Sequence, residues 1–115
     1  MKSLIGSHYW LFLMVIAKLK VRVRLFTSLR ELIGKRELEF EVKDSDKPLT
    51  VKVLLELLAQ RYGKEVEHYI YNENGNVRSY LQFLVNGRST TTLNGLETKL
   101  KENDLVAIIP PVGGG

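Results

Sequence analysis

Lys18 to Lys43 reads KLKVRVRLFTSLRELIGKRELEFEVK, and the spacing of its apolar residues decides what the chain builds. In the first third Leu19, Val21, Val23 and Leu25 alternate with Lys20, Arg22 and Arg24, the period of two that marks a half-buried strand. Glu37 to Lys43 repeats the pattern with Leu38, Phe40 and Val42 inward. Between them, Thr27 to Gly34 (TSLRELIG) offers Ser28 as N-cap, Leu29, Leu32 and Ile33 at helical spacing, and Gly34 as a stop, which predicts a short helical link. If the two strands pair antiparallel, Lys20 faces Glu41, Arg22 faces Glu39 and Arg24 faces Glu37. Such cross-strand pairs neutralise one another.

That pairing bears on charge. A formal +4 invites a nucleic-acid reading, but a phosphate-binding surface gathers its Lys and Arg on one face without acidic partners. Here the densest basic stretch meets its own acidic strand, so the expectation is a solvated sheet face and no nucleic-acid partner.

Downstream, Lys43 to Leu49 (KDSDKPL) is a polar loop, and Thr50 stands as N-cap of the strongest helical pattern, Val51 to Tyr62 (VKVLLELLAQRY), closed by Gly63. Val51, Leu54, Leu55, Leu58 and Tyr62 form one stripe, which Val53 and Leu57 widen, as suits a helix lying across a sheet. Glu65 to Tyr80 is irregular, with a turn at Asn72 to Asn76 (NENGN). A strand at Leu81 to Val85 ends at Asn86-Gly87, and Leu96 to Leu100 reads as a helical turn or short strand. The last strand, Asp104 to Ile109 (DLVAII), is apolar on both faces, which places it centrally in the sheet, either wholly covered there or partly offered to a partner. The order strand, strand, helix, strand, strand is α+β rather than repeated βαβ.

Composition narrows the chemistry. A chain of 115 residues, 44% hydrophobic and 26% charged, is one ordinary folded domain. The absence of cysteine excludes disulfides, thiolate metal sites and cysteine nucleophiles. His8 and His68 stand far apart in sequence and outside any metal-ligand spacing; His68, among Glu67, Tyr69 and Tyr71, is expected at the edge of the core. No phosphate-binding loop is present, because the glycine-rich end has no helix after it.

Residues 1–17 are expected to be an extension outside the fold. Tyr9 to Ala17 (YWLFLMVIA) behind Lys2 resembles the start of a secretory signal, yet it is shorter than the roughly 20 apolar residues that span a bilayer and lacks a small-x-small cleavage site. An added strand or self-association element is the second reading, and Met14 is a candidate true start. The working location expected is the cytoplasm, without a membrane partner.

The chain ends PPVGGG. Terminal residues usually fray, but here Pro110 and Pro111 stop the ladder and stiffen the exit, glycines without Cβ can thread a narrow channel, and the Gly115 carboxylate is an unhindered acyl group. The expected division is therefore a domain over 18–111 and a flexible glycine tail over 112–115.

With these residues in view, the sequence from Lys18 onward resembles the sulfur-carrier and ubiquitin-like β-grasp family of the MoaD/ThiS type, above all the small subunit of molybdopterin synthase and its archaeal ubiquitin-like relatives. The carriers of the resemblance are VRVRLFTSLRELIGKRELEFEV, TVKVLLELLAQRYG, FLVNGR and LKENDLVAIIPPVGGG. It implies a mixed sheet of four to five strands on one main helix. It also implies that an ubiquitin-activating-type enzyme adenylates Gly115 with ATP and a sulfur donor displaces AMP to leave a thiocarboxylate. The tail, Gly114 included, then enters the large subunit of molybdopterin synthase and gives sulfur to cyclic pyranopterin monophosphate, for a molybdenum or tungsten cofactor. In this scheme the chain is a non-catalytic carrier that binds no cofactor or metal of its own. Phe26, Arg30 and Ile109, with Pro110, Pro111, Val112 and Gly113, are the expected partner-binding residues, Arg30 meeting an acidic group. The alternative with the same activated end is a protein modifier joined through Gly115 to lysines; a binding module without covalent chemistry is the third reading.

Overall fold

The computed structural model describes residues 18–43 and 48–111. Its elements are β1 (Lys18–Arg24), α1 (Thr27–Ile33), β2 (Glu37–Lys43), α2 (Val51–Tyr62), α3 (Lys64–Ile70), β3 (Gln82–Val85), β4 (Arg88–Ser89) and β5 (Leu105–Ile109), with 3₁₀ turns at Thr90–Thr92 and Gly95–Glu97. The five strands lie in the order β2-β1-β5-β3-β4. β1 pairs antiparallel with β2 and parallel with β5, and β3 pairs antiparallel with both β4 and β5. This is the α+β, β-grasp arrangement that the resemblance implied. The last strand is central because its apolar residues on both faces are covered best there.

Val21, Val23, Leu38, Phe40, Phe83, Val85, Val106 and Ile108 bring the inner face of the sheet together with Leu54, Leu55 and Leu58 of α2. Thr50 caps α2 as expected, its Oγ1 accepting from Val53 N at 3.2 Å. At Gly63 the backbone takes φ 92, and a Cβ there would meet nothing within 4 Å. The conformation, not the space, demands glycine at this joint.

The β1–β2 register is the expected one, with Lys20 opposite Glu41, Arg22 opposite Glu39 and Arg24 opposite Glu37. The ion pairs run mostly on the diagonal: Lys18 to Glu41 at 3.9 Å, Lys20 to Glu39 at 3.8 Å and Arg22 to Glu37 at 4.0 Å, with only Arg24 to Glu37, at 3.1 Å, directly across. Strand twist offsets long side chains by one pair. All are solvent-facing, so each is worth about 0.2–1 kcal/mol; they set the character of this face more than its stability.

Four local expectations are corrected. Ser28 is not the cap of α1: the N-cap is Phe26 and carries no side-chain cap bond, because the helix begins at Thr27, two residues earlier than a Ser28 cap would place it, and the φ of 41 at Thr27 swings the chain out of β1. A β-branched residue there is strained. The irregular stretch after Gly63 contains α3, whose seven residues bury only Val66 and Ile70, too short a stripe to stand out as a period. His68 lies exposed on that helix rather than at the core edge, on the side opposite Val66 and Ile70. Leu32 likewise faces outward at 42% exposure.

Candidate functional site

β5 sits between β1 and β3, and its exit is what positions the site. Because β1 runs parallel to β5, with Arg24 beside Ala107, the residues that follow Arg24 lie at the same end of the sheet as Ile109 and Pro110. Phe26 retains extended backbone, φ −132 and ψ 154, so it continues the outward parity of Arg22 and Arg24. Arg30, one turn into α1, is held over it: its guanidinium carbon lies 5.7 Å from the Phe26 ring centre, and its Nε donates to the Leu25 carbonyl at 3.2 Å. Phe26, Arg30 and Ile109 are all half-buried, and Pro111 is exposed. Five of the sequence-derived partner residues are therefore gathered where the chain leaves the sheet. Val112, Gly113, Gly114 and Gly115 lie outside the described residues.

The register reveals a surface beyond the expected set. Val106 pairs with Val23 and with Val85, all buried, so Leu105, Ala107 and Ile109 turn to the other face. There they stand beside Arg22 and Arg24 on one side and Leu84 and Gln82 on the other. Leu84, Leu105 and Ile109 are half-buried around Ala107, an apolar strip bordered by the charged rows of β1 and β2. Leu84 was legible: it occupies the outward parity that Gln82 defines in QFLV. Which residues would flank it was not legible, since that depends on the strand order.

The start of β5 is pinned. Asn86 and Gly87, at φ 52 and 84, make a two-residue hairpin turn in the left-handed region that Asn-Gly favours. The Asn86 side chain does more than turn: its Oδ1 accepts from Leu105 N at 2.9 Å and its Nδ2 donates to Asp104 Oδ1 at 2.8 Å, while its backbone N–H donates to Leu105 O. Asp104 Oδ2 in turn accepts from Lys101 N at 2.7 Å. This lattice fixes the strand that carries the tail.

Elsewhere, a cleft is lined by Glu56, Glu67, His68, Tyr71, Asn72 and Arg78 among others. The Tyr71 hydroxyl is buried and, among the described residues, has no hydrogen-bond partner. Its pKa is raised above the ordinary 10.0, first by burial and then by the nearby charges of Glu56 and Glu67. A phenol so placed stays neutral, which suits neither a base nor a nucleophile at ordinary pH. Among the described residues no group of three or more His, Asp or Glu side chains could hold a metal ion. Nor is any described helix long and apolar enough to cross a membrane.

Comparison with known proteins gives this geometry its relatives. The family model described as the ThiS family matches residues 23–115. A candidate sulfur carrier protein of Archaeoglobus fulgidus is 36% identical over 95 residues, which cover 83% of this chain and 98% of the relative. The small archaeal modifier protein 1 of Methanosarcina acetivorans shares the fold with a TM-score of 0.73 at 31% identity, covering 85% of this chain and 98% of that one. A candidate molybdopterin converting factor, subunit 1, of Pyrococcus furiosus has a TM-score of 0.60 at 28% identity, covering 82% and 99%. With a match that runs from the first strand through the terminal glycines, and with the sheet order to support it, the chain belongs to the ThiS family, the ubiquitin-like β-grasp group that includes sulfur carriers and small archaeal modifiers.

Proposed function

We propose that this chain is the sulfur-carrier subunit of a molybdopterin synthase. The carboxylate of Gly115 attacks the α-phosphorus of ATP on a partner adenylating enzyme, releasing pyrophosphate, and a sulfur donor displaces AMP to leave a C-terminal thiocarboxylate. The tail enters the large synthase subunit, where its sulfur bonds to cyclic pyranopterin monophosphate and water cleaves the acyl C–S bond, leaving the sulfur on the pterin and regenerating the carboxylate. The chain's own contribution is presentation: a central, pinned strand, a Pro110-Pro111 exit and a docking face. The observation that carries the reading is that exit, in a cysteine-free chain whose sequence ends in glycines. The name of the Pyrococcus relative supports the molybdopterin assignment.

A second reading, a protein modifier joined through Gly115 to target lysines, draws on the similarity to the Methanosarcina modifier. Both use one activated end. Intact mass of the protein isolated from its own organism separates them: a carrier gains the mass of one oxygen-to-sulfur exchange at the C-terminus, whereas a modifier leaves glycine remnants on digested target lysines. Deleting Gly114-Gly115 is expected to abolish activation while leaving the unfolding midpoint unchanged, since a terminal tail contributes little to the core. Undiminished cofactor synthesis by the truncated chain would sink the carrier reading.

A further inference from the structure

In the order β2-β1-β5-β3-β4, β2 is an edge strand with a neighbour on one side. Its hydrogen bonds show which backbone groups that leaves open. Arg36 O accepts from Leu25 N at 2.8 Å and so points toward β1. Backbone groups alternate sides along a strand, so Leu38 and Phe40 also point to β1, while the N–H and C=O of Glu37, Glu39 and Glu41 point away. Among the described residues one side chain reaches this open row: Arg61 of α2, whose Nη1 donates to Glu39 O at 3.4 Å.

The two faces beside the edge differ in chemistry. On the outer face stand the carboxylates of Glu37, Glu39 and Glu41, whose ion pairs of 3.1–4.0 Å all run to Lys18, Lys20, Arg22 and Arg24 of β1. Among the described residues no cation pairs with them from the open side. On the inner face a groove of about 460 Å³ between β2 and α2 is lined by Phe40, Val42, Leu57, Gln60 and Arg61 among others. Val42 and Leu57 are half-buried there, and the exposed Arg61 guanidinium lies 4.0 Å from the Phe40 ring centre. Arg61 thus covers an apolar ring and an edge carbonyl together. A cation held over an edge is a known guard against indiscriminate pairing.

We infer that the free edge of β2 accepts an extended strand from a partner protein, antiparallel, with Lys or Arg at alternate positions over Glu39 and Glu41 and apolar side chains between them in the groove against α2. Bonds to the Glu39 and Glu41 backbone supply affinity, and the two side-chain rows supply specificity. Charge complementarity carries the choice of partner: the acidic row is neutralised from the β1 side alone, so a basic strand completes it from the other. A second copy of this chain fits badly, because two β2 strands paired antiparallel set carboxylates against carboxylates. Arg61 acts as a latch, releasing Glu39 O and Phe40 as the strand enters. Lys43 stands beside Lys18, at the end of the sheet away from Arg24 and Ile109. The groove therefore lies toward the end opposite the tail exit, and the inference does not depend on the fate of Gly115.

The test uses the full chain and a synthetic peptide of the β1 sequence, KLKVRVR, capped at both ends, which has the pattern already matched to β2 on its other edge. It is expected to bind saturably by fluorescence anisotropy and to slow hydrogen exchange of the Glu39 and Glu41 backbone amides at least about tenfold at saturation. N-methylation of its Lys and Arg residues, whose amides face β2 in the antiparallel pair, should weaken binding at least about tenfold, while N-methylation of its Leu and Val residues should change it less than about threefold. A peptide with Glu for every Lys and Arg should not bind. Arg61→Ala should tighten binding at least about twofold by opening the edge and removing a like charge; no tightening overturns the latch. Deleting Gly114-Gly115 should leave affinity within about twofold, since the tail lies outside the groove. Absence of saturable binding, equal losses from the two N-methylated peptides, or unprotected Glu39 and Glu41 amides would each overturn the proposal. So would protection of those amides without peptide in a chain that dimerises on gel filtration, which would give the edge to a second copy.

Discussion

The two ends of β5 are built on opposite principles. At its start, Asn86, Asp104 and Lys101 surround the backbone with hydrogen bonds of 2.7–2.9 Å, so that Leu105 cannot shift register. At its finish, Pro110 and Pro111 have no N–H to give a neighbour, and half-exposed aromatic and apolar groups replace polar ties. One end fixes the strand in the sheet; the other releases the chain from it. A carrier needs both, because a tail inserted into a partner transmits strain to whatever holds its root.

The contrast is open to direct attack along the strand. Ile108 points into the core at 2% exposure, whereas Ile109, its neighbour, lies half-buried on the outer face. Ile108→Ala is expected to lose about 2–5 kcal/mol of stability in urea unfolding. Ile109→Ala should lose clearly less and instead weaken partner binding. Equal losses would mean that the outer strip is structural. At the pinned end, Asn86→Ala removes two side-chain bonds and orphans Leu105 N, and should cost about 1–3 kcal/mol with no change in the affinity of a partner for the tail end.

The smallest expected effect lies away from the strand. Tyr71→Phe deletes a buried hydroxyl that has no partner among the described residues, and should stabilise the fold by up to about 1 kcal/mol. It should also alter the alkaline limb of stability. The folded-state pKa of Tyr71 is raised above 10.0, so the neutral phenol is favoured in the native state. That contribution is complete below the unfolded value and is lost as pH rises through the raised one. Tyr71→Phe should flatten the fall in stability above the ordinary phenol pKa, measured by urea titrations at stepped pH; an unchanged slope would show that other groups carry it.

Much of this was legible in the residues. Alternation in Lys18–Arg24 and Glu37–Lys43 named the strands and their pairing, Thr50 and Gly63 bounded α2, and Pro110-Pro111 marked where pairing ends. These are local signals: period, cap and missing donor act within a few residues and survive in the linear text. α3 escaped because a seven-residue helix with two buried side chains has no period to read. The place of Leu84 beside Ala107 escaped because nothing in its neighbours along the chain says which strand it will flank.

What the sequence alone determined, then, is which segments form strands and helices, the glycine ending and the chemistry excluded by a lack of cysteine, since each depends on residue type and short-range spacing. The tertiary structure decided which residues share a face and an end. Placing β5 between β1 and β3 brings the residues after Arg24 to the end where Ile109 leaves the sheet and lines up Leu84 with Ala107. Strand order is set by how the whole core packs, a property of contacts far apart in sequence, and no local pattern encodes it.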